Sequence, residues 1–271
     1  MKNTFGGSLF LLAPVLVSLS FGVFCTWLVL SSMSESFIVA PFPEGAFSVL
    51  NAVYFVVLTS LGASLLYVLL RRNKLRIITI ITGFALSAAV FLLSMVYLYS
   101  ALSAFTIPNV HLLTLLLSLL ITAAADLTIF RSPRASNIVV LFVGGALGAF
   151  LGVSIPALSA MLILGFLAVY DVFAVYRGPV GKIARSGIEH LRGLSFSFRG
   201  IQMGLGDLTF YSMLTGCVFA NLGAYSCLAS TVGVMVGVFL ALKMLEKKGM
   251  FPGLPFPIAL GMVPLVISLF R

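Results

Sequence analysis

Apolar runs of about twenty residues, separated by short polar or basic breaks, recur from one end of the chain to the other. Their spacing predicts nine membrane-spanning helices, at about 9–30, 47–70, 77–102, 110–130, 138–154, 157–176, 201–222, 225–245 and 254–270. Each is close to the length at which an apolar helix crosses the hydrocarbon layer. None shows the alternation of an outer-membrane barrel strand, so the backbone is expected to satisfy its hydrogen bonds as helix. The first run is too long for the core of a secretion signal and lacks a small-residue cleavage pattern, so it is read as a retained span. Connections are short, with no internal repeat or low-complexity tract. The expectation is an all-α polytopic membrane protein forming a single membrane-embedded domain over residues 1–271. Spans 1–6 cover about 9–176, a basic loop covers 177–200, and spans 7–9 cover about 201–270.

Composition agrees: of 271 residues, 61% are hydrophobic and 8% charged, and the mean hydropathy is +1.20. These values exclude a soluble domain of this size and place the chain in a cell membrane as a multi-pass protein. A formal charge of +9 would suggest nucleic acid or anionic lipid if the bases formed a patch. They do not. Lys2, the group Arg71 to Arg76, Arg131 and Arg134, the group Arg177 to Arg199, and Lys243, Lys247 and Lys248 all fall in alternate loops. Of the 16 Lys and Arg, only Arg271 lies on the other side, and the opposite loop at 31–46 carries Glu35 and Glu44 without a base. The positive-inside rule therefore predicts a cytoplasmic N-terminus and an outside C-terminus. The charge reports topology, and no nucleic-acid partner is implied.

Gly144, Gly148 and Gly152 at four-residue spacing, and Gly233 with Gly237, give two spans smooth faces for close helix packing. Cys25, Cys217 and Cys227 lie in apolar runs without ligand spacing and read as small packing residues. His111 and His190 are far apart at polar boundaries, so no metal site is predicted.

Three acidic residues fall within predicted spans: Asp126, Asp171 and Asp207. A carboxyl there costs roughly 2.5–3.5 kcal/mol on insertion scales and calls for a functional or structural partner. Asp171 precedes Arg177 by six residues, placing it roughly 9 Å from that cytoplasmic end at 1.5 Å per residue. Asp207 follows Arg199 by eight residues, or roughly 12 Å if the stretch is helical. Antiparallel spans 6 and 7 thus bring the two to similar depth. Ala168, Ala174 and Gly204 are small neighbours that let the backbones approach. Asp126 lies five residues before Arg131, so depth alone does not exclude it from a pair. It lacks the glycine context and is assigned a structural role at the interface. Two buried carboxyls that share a proton supply a general base for water and an acid for a carbonyl, which is aspartic-protease chemistry. The residues by themselves also allow a proton- or cation-coupled transporter with Asp126, Asp171 and Asp207 as relay groups.

Tyr170-Asp171 on span 6 and Gly204-Leu205-Gly206-Asp207, continuing through Leu208-Thr209-Phe210-Tyr211-Ser212 on span 7, resemble the YD and GxGD motifs of the presenilin and signal peptide peptidase family of intramembrane aspartyl proteases. The resemblance implies a presenilin-like fold with Asp171 and Asp207 as catalytic residues and Tyr170, Gly204, Leu205 and Gly206 shaping the site. It implies transmembrane helical peptides as substrates within the lipid bilayer, and no cofactor. The family's Pro-Ala-Leu motif is absent as such. Pro255-Phe256-Pro257 is taken as its counterpart and as a substrate-binding segment, its prolines keeping the chain extended. The loop at 177–200 is short, unlike the long loop that presenilins cleave in themselves. The small chain resembles a prokaryotic, archaeal homologue that needs no partner subunits and is compatible with a homo-oligomer. A prepilin-type peptidase, the other GxGD class, would carry a large loop with paired CxxC motifs, which this sequence lacks.

Overall fold

The computed structural model describes residues 4–32, 41–43, 45, 47–72, 74–105, 107–176, 195–198 and 201–270. Six long helices come first: α1 (Thr4–Ser31), α2 (Ser48–Arg71), α3 (Leu75–Leu102), α4 (Val110–Arg131), α5 (Pro133–Ser154) and α6 (Ala157–Tyr176). A two-stranded antiparallel hairpin follows, β1 (Ser195–Phe198) paired with β2 (Ile201–Gly204). Then come α7 (Leu205–Lys248), α8 (Pro255–Gly261) and α9 (Val263–Ser268). Among the described residues, seven helices are long and apolar enough to cross a membrane. The chain is a multi-pass membrane protein, with large apolar side chains such as Phe84 and Val169 exposed on its surface.

The fold is helical as expected, except for this short hairpin at the expected start of span 7. Residues 201–204, read as the start of span 7, pair with β1 in the register Ser195↔Gly204 to Phe198↔Ile201. Ser-Phe-Ser-Phe alternates with period two, and the two-residue link Arg199-Gly200 separates it from Ile201-Gln202-Met203; that is a hairpin pattern. Extended residues advance about 3.3 Å each, so the helical rise assumed between Arg199 and Asp207 does not hold.

α7 is two helical arms joined at Gly223, whose φ of 79° and ψ of −176° are not helical. The Cys227 thiol donates to the Thr215 carbonyl at 3.5 Å. In a straight helix twelve residues would separate these groups by about 18 Å, so the chain folds back. Gly223 lacks a Cβ, which is what admits this backbone. The last predicted span is likewise interrupted: α8 stops at Gly261, and α9 starts at Val263 with a proline in its first turn.

The core lies where α1, α5 and the first arm of α7 meet, around Val15, Leu19, Val140, Ala149, Leu208 and Leu214. Lipid is as apolar as leucine, so packing and hydrogen bonds must hold these helices together. The Ser18 hydroxyl donates to Leu141 O at 2.9 Å, and the Ser212 hydroxyl to Gly145 O at 2.7 Å. A Cβ on Gly152 would lie 2.6 Å from Met213 O, so the glycine face of α5 is in backbone contact with α7. The second arm treats α8 the same way. Ser230 donates to Gly261 O at 2.7 Å, and Gly237 packs directly on Pro257.

On the other flank, α3 and α4 pair through the Ser87 hydroxyl, which donates to Asp126 Oδ1 at 2.7 Å. α2 is anchored at its first turns, where fully buried Asn51 donates to Ser159 Oγ at 3.0 Å and to Phe42 O at 2.9 Å. Cys25, Cys217 and Cys227 are buried free thiols, and His111 stacks on Tyr99 with ring centroids 5.3 Å apart. Lys2, Glu35, Glu44, His190, Arg271 and most of the basic loop, including Arg177, Lys182, Arg185, Arg192 and Arg199, lie outside the described residues.

Candidate active site

Asp207 sits in the first turn of α7, three residues after Gly204, which caps the helix in an extended conformation (φ −70°, ψ 146°). The first amides of a helix have no partner within it, and that end carries partial positive charge, so a carboxyl is favoured there. The Asp207 carboxyl turns back toward Gly204, as the third helical residue of a capping box does toward its cap. A Cβ on Gly204 would lie 3.7 Å from Asp207 Oδ2. β2 therefore ends three residues before Asp207, at the cap of the helix that carries the carboxyl.

Asp171 lies on α6, within one turn of buried Ala174. Its Oδ2 accepts the Leu254 N–H at 3.0 Å. Gly253 simultaneously contacts the other acid. A Cβ built on it would lie 3.0 Å from Asp207 Oδ2 and 3.3 Å from Oδ1. The carbonyl of the same glycine accepts the Tyr211 hydroxyl at 2.8 Å. One short strap between α7 and α8 thus touches both carboxyls.

The predicted site residues fall into two groups. Tyr170, Gly204, Leu205 and Gly206 adjoin the two aspartates along the chain: Tyr170 is half-buried beside Asp171, Gly206 is exposed against the Phe210 ring, and Leu205 reaches Gly144 of α5. Pro255, Phe256 and Pro257 form the first turn of α8. Phe256 stacks on Phe251 at 5.4 Å, and Pro257 packs on Gly237. The residues that reach the carboxyls are Gly253 and Leu254, just before that turn. Asp126 is on α4, hydrogen-bonded to Ser87. Sequence reasoning missed Gly253, Leu254 and Tyr211. A signal existed for the last, a phenol four residues after Asp207 and hence on the same helix face.

Residues 183–270, which include Asp207, Tyr211 and the strap, match the model of the presenilin family. The whole chain superposes on a presenilin family intramembrane aspartate protease solved in two space groups. For the C222 form the TM-score is 0.68 at 22% identity, covering 96% of this chain and 99% of that one. For the P2 form it is 0.67 at 23% identity, covering 100% and 99%. The fold is presenilin-like. No curated protein matches it significantly. The presenilin-like fold extends over both carboxyls, while the family-model match covers the second of them and the strap.

Proposed function

We propose that this chain is an intramembrane aspartic endopeptidase, with Asp171 and Asp207 as its catalytic pair and water as the nucleophile. The observation that carries this reading is the strap: Leu254 donates to Asp171 while Gly253 lies against Asp207, so one backbone segment sits across both carboxyls. The presenilin-like fold supports it. One carboxylate takes a proton from water as the oxygen attacks the scissile carbonyl, and its partner, protonated, donates to that carbonyl. Tyr170, Gly204, Leu205 and Gly206 shape the cavity around them. The counterpart of the Pro-Ala-Leu motif is Pro252-Gly253-Leu254, three residues earlier than Pro255-Phe256-Pro257, with glycine in the alanine position.

The substrate is a single transmembrane helix in the bilayer. Its amides are occupied by its own hydrogen bonds, so it must unwind before hydrolysis. β2 offers an extended backbone that ends at Gly204, three residues before Asp207, and an unwound substrate segment adds beside this hairpin as a strand. Counting the arms of α7 separately and α8 with α9 as one span gives nine spans. The basic loops then put the N-terminus and the catalytic pair toward the cytoplasm and the C-terminus outside. Substrates with an outside N-terminus are preferred.

The test is a transmembrane peptide in liposomes, with product masses compared for wild type, Asp171→Asn and Asp207→Asn. Two defined products from wild type and none from either variant are expected. Full cleavage by either variant ends the proposal, and ion-dependent flux without peptide products would indicate the transporter instead.

A further inference from the structure

Tyr211 belongs to no part of the proteolytic step as written, yet it is one of the largest fully buried side chains, 1% exposed. A buried phenol normally places its hydroxyl on a partner. Here the partner is the Gly253 carbonyl at 2.8 Å. That carbonyl belongs to the peptide unit whose N–H is Leu254's, and the N–H donates to Asp171 at 3.0 Å. The peptide plane is rigid. Holding its oxygen from α7 therefore fixes the direction in which its hydrogen points toward α6. The α-carbon of Gly253 lies in that same plane, and its side-chain position is the one turned against Asp207.

We propose that Tyr211 is a positioning residue that clamps the Gly253–Leu254 peptide, setting the spacing and orientation of the two aspartates through one rigid unit. Tyr211 and Asp207 share a helix face, being four residues apart. The clamp thus ties the strap to the same turns of α7 that carry the second carboxyl, and any shift of the strap moves both contacts together. This role rests on the proteolytic reading for its catalytic consequence, but the clamp itself is a structural statement.

The experiment compares wild type, Tyr211→Phe and Asp171→Ala in nanodiscs by two readouts. The first is hydrogen exchange of the Leu254 amide, read from peptides spanning residues 250–256. The prolines at 252 and 255 leave few exchangeable amides there. The second is cleavage kinetics of a transmembrane peptide by wild type and Tyr211→Phe. Phenylalanine keeps the buried ring and removes only the hydroxyl. Tyr211→Phe is expected to speed Leu254 exchange about tenfold or more and to lower kcat by about tenfold to a hundredfold, with KM within about twofold. Asp171→Ala, which removes the acceptor and leaves Tyr211 in place, should speed the same amide. Unchanged Leu254 exchange in Tyr211→Phe overturns the clamp. Faster exchange along the whole of α7 also overturns it, since that is the mark of a merely structural phenol. If wild type cleaves nothing while Leu254 still responds, the protease reading falls and the clamp stands.

Discussion

The α-carbon of Gly253 is turned to the carboxyl of Asp207, and a methyl group in place of its hydrogen would lie 3.0 Å from Oδ2, 3.2 Å from Cγ and 3.3 Å from Oδ1. Those distances are tighter than ordinary carbon–oxygen contact, so the strap and the acid have been fitted to a residue without a side chain. A bulkier residue must move either the strap, and with it the Leu254 N–H on Asp171, or the Asp207 carboxyl.

Gly253→Ala should therefore fold and cleave, with kcat reduced by less than about tenfold as the carboxyl gives by a few tenths of an ångström. Gly253→Val should cost about a hundredfold or more, because a misplacement near 1 Å is enough to lose that factor. Initial rates on a transmembrane peptide, together with melting temperatures, separate the two outcomes. Equal rates for both variants would show that the contact has no bearing on the chemistry.

Asp126 has a different partner and a different expected phenotype. Its Oδ1 accepts the Ser87 hydroxyl at 2.7 Å across α3 and α4. Polar contacts of this kind between membrane helices contribute about 0.6 kcal/mol on average and up to about 2. Ser87→Ala and Asp126→Asn are each expected to lower stability by about that amount in a detergent-unfolding titration. Both should leave peptide cleavage within about twofold of wild type. Loss of cleavage in Asp126→Asn at unchanged stability would bring Asp126 back into the catalytic pair.

Long apolar runs were legible because lipid leaves the backbone one local solution: the helices at 110–131 and 157–176 begin and end within a residue of their predicted limits. What escaped was decided by contacts across the sequence. Ile201-Gln202-Met203 adjoins an apolar run and reads as its beginning, until Phe196 and Ser197 pair with it. Asp171 and Asp207 could be singled out by the cost of burying a carboxyl, but their common neighbour could not. Gly253 is an unremarkable residue between two prolines, and only the return of α7 brings it onto both acids. Pro255 and Pro257 of the expected proline segment form the start of α8 and its contact with Gly237, and the residues against the carboxyls come just before them.

The interface of α5 with α7 supports the second aspartate from behind, and Gly148 is its tightest point. A Cβ there would lie 2.5 Å from Ser212 Cβ and 2.7 Å from Met213 N, in addition to colliding with Thr209 O. Backbone on the facing helix cannot yield as a flexible side chain would. Gly148→Ala is expected to destabilise the fold by about 1–3 kcal/mol and to lower cleavage through displacement of the turns that follow Asp207. Unfolding in a denaturing-detergent titration measures the first effect. Wild-type stability would mean that the two helices separate without cost.

Gly223 tests the reading of α7 as two arms. Its φ of 79° with ψ of −176° lies in a region open almost solely to glycine, and no neighbouring heavy atom lies within 4 Å of where a Cβ would sit. Substitution is therefore strained by the backbone alone, with no steric crowding to confuse the result. Gly223→Ala should cost about 1–3 kcal/mol, whereas Ala224→Gly, next to it in the same exposed turn, should cost no more than about 1 kcal/mol. The consequence reaches the site, because the fold-back places the second arm against α8, with Gly237 on Pro257 and Ser230 on Gly261. The strap hangs between that arm and α8. Loss of stability in Gly223→Ala should accordingly come with faster exchange of the Leu254 amide, whereas Ala224→Gly should leave that amide protected. If Gly223→Ala were as stable as wild type, residues 205–248 would be tolerating a conformation that forbids the turn, and the antiparallel arrangement joined by the Cys227–Thr215 contact would have to be abandoned.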